Sequence, residues 1–231
     1  PPPPPPPPPP PFFFHAQPGT PDPLWSRGLG DVYKRQGIQI LDFLRKNRAK
    51  YFSTRTMRLV GVELPIYYPA SDSNENIMMK GFLDLVFENL ADNTIEIWDI
   101  KTSTRGWNKW QKADKTKTAQ LVLYKKFFSE QYGYPIEKIQ VRYFIVKRKL
   151  WEEAMFAQQR VQEFVPAHGK PTLNKIVKSF DEFISVAFNE DGSYNSVGDF
   201  PAMAGKNNKN CKWCPFKTSE LCPKVERIRN I

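Results

Sequence analysis

The sequence predicts an α/β domain in which helices pack on a central mixed β-sheet. Three observations support this: segments that alternate apolar and polar residues, segments with apolar residues at helical spacing, and the resulting order α-β-β-β-α-β-β-α. The predicted strands are residues 57–68, 77–88, 94–101, 139–146 and 155–165, and the predicted helices are residues 37–50, 118–132 and 173–188.

Turn residues and end signals separate these elements. The first helix ends in basic residues, which suit the C-terminal end of a helix dipole. Pro69 and the polar residues 71–76 end the first strand, and a short polar turn at residues 89–93 joins the second strand to the third. Gly133 and Pro135 supply the stop signal of the second helix.

Residues 1–36 are predicted to be a disordered, non-native leader. Positions 1–11 are an unbroken run of proline, which forms a solvated polyproline II rod and cannot bury a core. Residues 23–36 resemble a translated sequencing-adapter read-through, although a genuine proline-rich linker is the alternative. We therefore expect one folded core over residues 37–200, a cysteine-containing tail over residues 201–231, and a native N-terminus that is missing.

The composition excludes several classes of protein. A hydrophobic fraction of 40% supports a sizeable core, and the chain has no run of about eighteen apolar residues that would indicate a membrane span. Three cysteines are too few for a disulfide framework, which favours a reducing compartment. The net charge of +10, from 34 basic and 24 acidic residues, favours a polyanionic partner, with nucleic acid first and a membrane surface second.

Two carboxylates on neighbouring strands are predicted to face each other. Asp99 and Lys101 share a face of the third strand, because side chains alternate along a strand. If the turn is centred on Ala91 and Asp92, antiparallel pairing puts Asp84 opposite Asp99, with Cβ atoms about 5 Å apart. Two such carboxylates in apolar strands repel each other unless a cation lies between them, and oxygen ligands favour Mg²⁺ or Mn²⁺ over zinc. A solvated aspartate on an edge strand is the alternative.

Two polar residues of the second predicted helix extend the motif formed by the two carboxylates. Gln120 and Tyr124 are four residues apart and share a helix face, where the simpler interpretation is the polar margin of a packed helix. The order Asp84, Asp99-x-Lys101 and then Gln-x-x-x-Tyr resembles the PD-(D/E)xK nuclease superfamily, and specifically its RecB-like exonuclease branch.

The resemblance implies a restriction-endonuclease-like core and a Mg²⁺-dependent DNA nuclease, expected to be an exonuclease of recombination, repair or phage DNA metabolism in the cytoplasm. It implies that Asp84, Asp99 and the main-chain carbonyl of Ile100 bind the metal. Lys101 would position or activate the attacking water, and the matching glutamine and tyrosine would line the site. A catalytically inactive DNA-binding module of the same fold and a zinc-ribbon-like interaction domain are the alternatives.

One feature of the RecB-like branch is missing from this sequence. Relatives often carry a histidine ligand on an upstream helix, but His15 lies in the predicted leader and His168 follows the core strands. We expect that helix to have been lost with the native N-terminus. Glu63 of the first strand is a candidate substitute, although an exposed or salt-bridged glutamate is the favoured interpretation.

The tail contains all three cysteines of the chain, Cys211, Cys214 and Cys222, in a C-x₂-C-x₇-C pattern. A C-x₂-C turn can place two thiolates on one metal, but three thiolates are one short of a closed zinc or iron–sulfur site. The pattern is similar to the downstream cysteines of AddB-type and CRISPR-adaptation exonucleases, which implies a 4Fe–4S cluster whose fourth cysteine precedes the core. Zinc with a non-cysteine fourth ligand and unliganded thiols are the alternatives.

The segment between the third predicted strand and the second predicted helix is rich in basic and aromatic residues. These are Trp107, Lys109, Trp110, Lys112, Lys115 and Lys117. Lysines neutralise phosphates and exposed tryptophans stack on unpaired bases, so we expect this segment to bind DNA beside the metal. Tryptophans that pack on the core are the alternative. The sequence indicates no membrane contact and no particular partner protein.

Overall fold

The computed structural model describes residues 24–72, 74–151, 155–196, 206–217 and 222. This part of the chain contains five helices and five strands. They are α1 (Leu24–Lys46), α2 (Arg48–Tyr51), β1 (Met57–Ser71), β2 (Asn74–Asn89), β3 (Thr94–Ser103), α3 (Lys109–Lys112), α4 (Lys115–Tyr132), β4 (Ile139–Lys147), β5 (Val161–Phe164) and α5 (Lys170–Ala187). Short 3₁₀-helices occupy Ile136–Lys138 and Lys206–Cys211.

The five strands form one sheet in the order β1-β2-β3-β4-β5. Antiparallel ladders join β2 to β3 and β4 to β5, and the chain passes from β3 to its neighbour β4 through α4. A helical crossover of this kind is typical of a mixed sheet. The predicted class, a central mixed sheet flanked by helices, is therefore confirmed.

The bounds of the strands differ from the sequence prediction, notably in β1 and β5. β1 continues through Pro69, which was expected to end it, and reaches Ser71. Because β1 is the first strand in the sheet order, it lies at an edge, where a proline needs no partner for a missing N–H group. β5 is only Val161–Phe164, shorter than the predicted strand at residues 155–165.

The first helix begins earlier than predicted. α1 starts at Leu24, whereas residues 24–36 were expected to be disordered. No proline follows Pro23 within that stretch, so the helix is not interrupted there. Residues 1–23 lie outside the described part of the chain, and the non-native origin of the leader stays a prediction.

The chain divides into two compact units. The first comprises Pro1–Val62, Asp84–Asp114 and Arg142–Pro166, and the second comprises Glu63–Leu83, Lys115–Val141 and Ala167–Ile231. Of the helices that the structure describes, none is long and apolar enough to cross a membrane.

An aromatic core fills one face of the sheet in the first unit. Trp98 stacks on Phe144 with ring centroids 5.4 Å apart, and Phe87 meets Trp98 edge-on at 5.2 Å. Tyr51 and Phe52 pack against this group, as do apolar side chains of α1. In the second unit a separate apolar cluster joins α5 to β1 and β2, and its buried members are Ala70, Ile77 and Ile184.

A charged network joins β3, β4 and β5 beside the aromatic core. The Arg142 guanidinium lies 2.9 Å from a carboxylate oxygen of Glu96 and 2.7 Å from one of Glu163. Trp98 Nε1 donates to Glu96 Oε2 at 2.8 Å, and Arg142 lies 5.0 Å from the centroid of the Trp98 ring. Arg142 therefore balances the charge of the buried Glu96.

We expect Arg142→Met to destabilise the protein by about 3 kcal/mol, because it leaves the buried Glu96 carboxylate without its cation. Urea unfolding followed by circular dichroism measures the change. Arg45→Met is the matched control, since Arg45 pairs with Asp42 at 3.5 Å on the exposed surface of α1. Such a surface pair contributes less than about 1 kcal/mol. Equal unfolding midpoints for the two variants would contradict the role given to Arg142.

Candidate active site

The hairpin of β2 and β3 pairs in the register that the sequence predicted. The ladder runs from Asn89 opposite Thr94 to Leu85 opposite Trp98. Side chains fix the turn, since Asn89 Oδ1 accepts a hydrogen bond from the Ala91 amide. The next positions along this register are Asp84 and Asp99, on the face opposite the aromatic core.

Asp84 is attached to the neighbouring strand through its carboxylate. The amide of Ile100 donates to Asp84 Oδ2 at 2.6 Å, and the Asp84 side chain is half-buried. A short hydrogen bond from a backbone amide to a carboxylate fixes its orientation. The role of the Ile100 carbonyl as a metal ligand stays a prediction.

Asp99 is a buried carboxylate, with 4% of its surface exposed. Its Oδ2 lies 2.7 Å from Lys101 Nζ, and apart from that ammonium the oxygen has no hydrogen-bond partner among the described residues. Burial raises the pKa of Asp99 above its ordinary value, the Lys101 ammonium opposes that rise, and the charge of Asp84 adds to it.

Lys101 lies between a carboxylate and an aromatic ring. Its Nζ is 2.7 Å from Asp99 Oδ2 and 5.9 Å from the centroid of the buried Tyr143 ring on β4. The ring face attracts the ammonium, so both neighbours restrict where Lys101 can point. Tyr143 was not among the predicted site residues, because an aromatic residue in an alternating strand usually indicates a core position.

The carboxylate pair fits a hard divalent cation. Among the residues whose positions are described, no group of three or more His, Cys, Asp or Glu side chains could hold a metal. Mg²⁺ does not need such a group, since it is commonly bound by one or two carboxylates together with water and phosphate oxygens. Within the described part of the chain, Asp99 Oδ2 has no hydrogen-bond partner besides the Lys101 ammonium, so it is a carboxylate oxygen that could serve as a ligand for such a cation.

Gln120 and Tyr124 lie on α4, in the second unit. Gln120 Nε2 donates to Tyr124 Oη at 3.4 Å, so the two side chains share a face as predicted. A Cβ atom at Gly81 of β2 would lie 3.1 Å from the Tyr124 ring. Glycine at this position therefore lets the tyrosine ring approach the strand closely.

The histidines give no metal ligand in the described part of the chain. His168 Nε2 lies 2.9 Å from Gln140 Oε1 within the second unit, and His15 lies outside the described residues. Glu63 is exposed. Neither His168 nor Glu63 belongs to a described group of three metal-ligating side chains.

The three cysteines are free thiols and are half-buried. A turn brings the amide of Cys214 to the carbonyl of Cys211 at 3.2 Å, as a C-x₂-C motif allows. Cys222 is the third, and the described residues hold no group of three metal-ligating side chains. Within the described residues the structure therefore does not support the predicted iron–sulfur or zinc site.

The basic and aromatic segment is only partly available to nucleic acid. Trp107 is 8% exposed and packs on Tyr143 with ring centroids 4.7 Å apart, which agrees with the alternative of a tryptophan packed on the core. Trp110 of α3 is 73% exposed, with Lys109 Nζ 5.0 Å from its ring centroid. Lys112 Nζ lies 5.6 Å from a ring of β5, while Lys115 and Lys117 begin α4 in the second unit.

The model of one protein family, described as the PD-(D/E)XK nuclease superfamily, matches residues 19–223 of the chain. The match includes the hairpin, α4 and all three cysteines, and it also includes residues 19–36 of the predicted leader. No curated protein matches the chain.

We expect Asp99→Asn to raise the melting temperature at pH 7 by about 2–4 °C in metal-free buffer. Because the folded state raises the pKa of Asp99, folding is disfavoured as pH rises through that pKa, and a neutral side chain removes the penalty. The difference from wild type should shrink as the pH falls below the raised pKa of Asp99, where the buried carboxyl is protonated. Differential scanning calorimetry measures both effects, with the exposed Asp42→Asn as control. A lower melting temperature at pH 7 would mean that the ion pair with Lys101 outweighs burial.

Proposed function

Because the chain belongs to the PD-(D/E)XK nuclease superfamily, we propose that it is a Mg²⁺-dependent DNA exonuclease of the RecB-like branch. The observation that supports this most directly is the hairpin face on which a buried aspartate, a second carboxylate and a lysine follow one another. Asp99 and Lys101 are 2.7 Å apart there, and Asp84 is held by the amide of Ile100. Its action in recombination, repair or phage DNA metabolism, in the cytoplasm, is inferred from the order of the motifs alone.

The two carboxylates bind the metal in this proposal. Asp84 and Asp99 would hold a divalent cation, with the Ile100 carbonyl as a further ligand. Such a cation supplies positive charge to the scissile phosphate and lowers the pKa of a water molecule. The penalty for burying Asp99 supports this assignment, because a carboxylate in an apolar strand is stable only beside a cation.

Lys101 serves the attacking water and the phosphate. Its ammonium is restricted by Asp99 and by the Tyr143 ring, so it can donate hydrogen bonds at one fixed place. In hydrolysis the water oxygen forms a bond to phosphorus, and the bond from phosphorus to the leaving sugar oxygen breaks. Negative charge grows on the phosphate oxygens meanwhile, and a fixed ammonium stabilises it.

Gln120 and Tyr124 are proposed to support this site, and the basic segment is proposed to bind the strand. The hydrogen bond between Gln120 and Tyr124 and the matching motif order support the first assignment. The net charge of +10 and the exposed Trp110 support the second. An iron–sulfur cluster rests on the spacing of the cysteines alone and is not part of the proposal.

We expect end-labelled single- or double-stranded DNA to be degraded from its ends with Mg²⁺ or Mn²⁺, and not in EDTA. Asp99→Ala and Lys101→Met should each lower the rate by about 100-fold or more, because each removes charge from the reacting centre. Gel electrophoresis of the products measures the rate. Asp42→Ala, an exposed change on α1, is the control for the loss of an acidic residue.

Two outcomes of this assay would decide against the proposal. Degradation that persists in EDTA and in Asp99→Ala would place the activity elsewhere. DNA that is bound but not cleaved under any condition would indicate the alternative, an inactive DNA-binding module.

Trp110→Ala should weaken the binding of single-stranded DNA by about fivefold or more, because stacking of a base on an aromatic ring contributes about 1–3 kcal/mol. Fluorescence anisotropy in EDTA measures the affinity without cleavage. Trp213→Ala, which removes another highly exposed tryptophan, is the matched control. Equal affinities for the two variants would exclude Trp110 from the DNA-binding surface.

A further inference from the structure

A polar concavity lies beside the C-terminal end of β3, within the first unit. It has a volume of about 610 Å³ and is lined by residues 102–108, Gln111 and Arg148. The described lining residues include two arginines, Arg105 and Arg148, and no acidic side chain. A concavity with this charge selects an anionic ligand.

One donor of the Arg148 side chain has no partner within the described part of the chain. Its Nη2 donates to Thr104 Oγ1 at 3.0 Å, and its backbone amide donates to the Ser103 carbonyl at 2.8 Å. The Nε atom is buried and has no hydrogen-bond partner among the described residues. The guanidinium is partly buried at the edge of the concavity, and an anion bound there would offset the cost of burying its charge.

The loop that forms the concavity is held in one conformation. Ser103 Oγ donates to the Gly106 carbonyl and accepts from the Gly106 amide, each at 3.1 Å. Gly106 has φ +86°, and a Cβ atom there would lie 2.9 Å from Gln162 Oε1. The next residue, Trp107, exchanges two backbone hydrogen bonds with the Gln162 side chain. A concavity fixed in this way binds a ligand without first being ordered.

The concavity begins where the candidate active site ends. Thr102 directly follows Lys101, and Ser103 lies about 7 Å from Lys101 along the strand at the usual rise per residue. A nucleic-acid strand whose scissile phosphate lies at Lys101 therefore brings a further phosphate close to this concavity.

We propose that the concavity binds a second phosphate group of the nucleic-acid strand, with Arg148 as its principal donor. The proposal rests on the proposed nuclease function. Guanidinium and hydroxyl groups are typical phosphate donors, and such contacts set the position of the strand without reading its sequence. The phosphate is either an internal phosphodiester beside the scissile bond or a terminal phosphate, and the chemistry of recognition is the same.

The test is the binding of short single-stranded oligonucleotides in EDTA, followed by fluorescence anisotropy. One series carries a neutral methylphosphonate at successive positions, and another lacks the 5′- or the 3′-terminal phosphate. For wild type, we expect neutralising one particular phosphate to weaken binding by about tenfold. Arg148→Gln should bind the unmodified strand about tenfold more weakly and should no longer respond to that neutralisation. The slope of its log affinity against log salt concentration should become shallower by about one, which corresponds to one phosphate contact.

The controls separate this effect from general loss of charge or fold. Arg45→Gln removes one exposed arginine and should keep the response to the neutral phosphate. Arg148→Lys keeps the charge and should restore part of the affinity. If Arg148→Gln fails to fold by circular dichroism, Arg148→Lys is compared with wild type instead, and an unchanged response in Arg148→Lys overturns the proposal.

The outcomes distinguish this subsite from the nuclease function. If all variants respond to every methylphosphonate as wild type does, the subsite is wrong, whether or not the chain cleaves DNA. If an Arg148-dependent response persists in a chain that never cleaves DNA, the subsite stands and the proposed catalysis fails. A response to the terminal series identifies a terminal phosphate, and a response to an internal position identifies a phosphodiester. A chain that binds no oligonucleotide overturns both.

Discussion

The burial of Asp99 is the constraint on which the candidate site depends. A carboxylate that is 4% exposed in an apolar strand raises its own pKa and opposes folding unless positive charge lies beside it. Lys101 supplies one such charge at 2.7 Å, yet Asp99 is still harder to ionise than an ordinary aspartate. A divalent cation beside Asp99 would offset the remaining cost of ionising this carboxyl, and this is why the burial of Asp99 supports the proposed metal site.

The hairpin can tolerate this buried charge because its other face is strongly apolar. Trp98 precedes Asp99 directly and points to the opposite side of β3, where it packs against Phe87 and Phe144. A shift of the register by one residue would exchange these faces, placing the carboxylate in the aromatic core. The aromatic core therefore specifies the register that brings Asp84 and Asp99 to the same face.

Local features were predictable from the sequence and distant contacts were not. The hairpin register follows from a short turn and two alternating strands, so the sequence alone is enough to group Asp84, Asp99 and Lys101. Trp107 could not be placed, because its burial depends on Gln162 and Tyr143, which are remote in sequence. The sequence around an exposed tryptophan and that around a buried one look alike in a lysine-rich segment. Only the pairing of β3 with β4 shows which of the two is buried.

Consecutive residues of β4 contribute to the stability of the fold on one face of the sheet and to the candidate site on the other. Arg142 points to the face of the aromatic core and neutralises Glu96, while Tyr143 points to the opposite face beside Lys101. Arg148 directly follows the same strand and reaches Thr104 at the end of β3. A displacement of β4 would thus disturb the lysine and the phosphate subsite together. Because Arg142 fixes β4 against β3 from the far face, it preserves their relative position without lining either site.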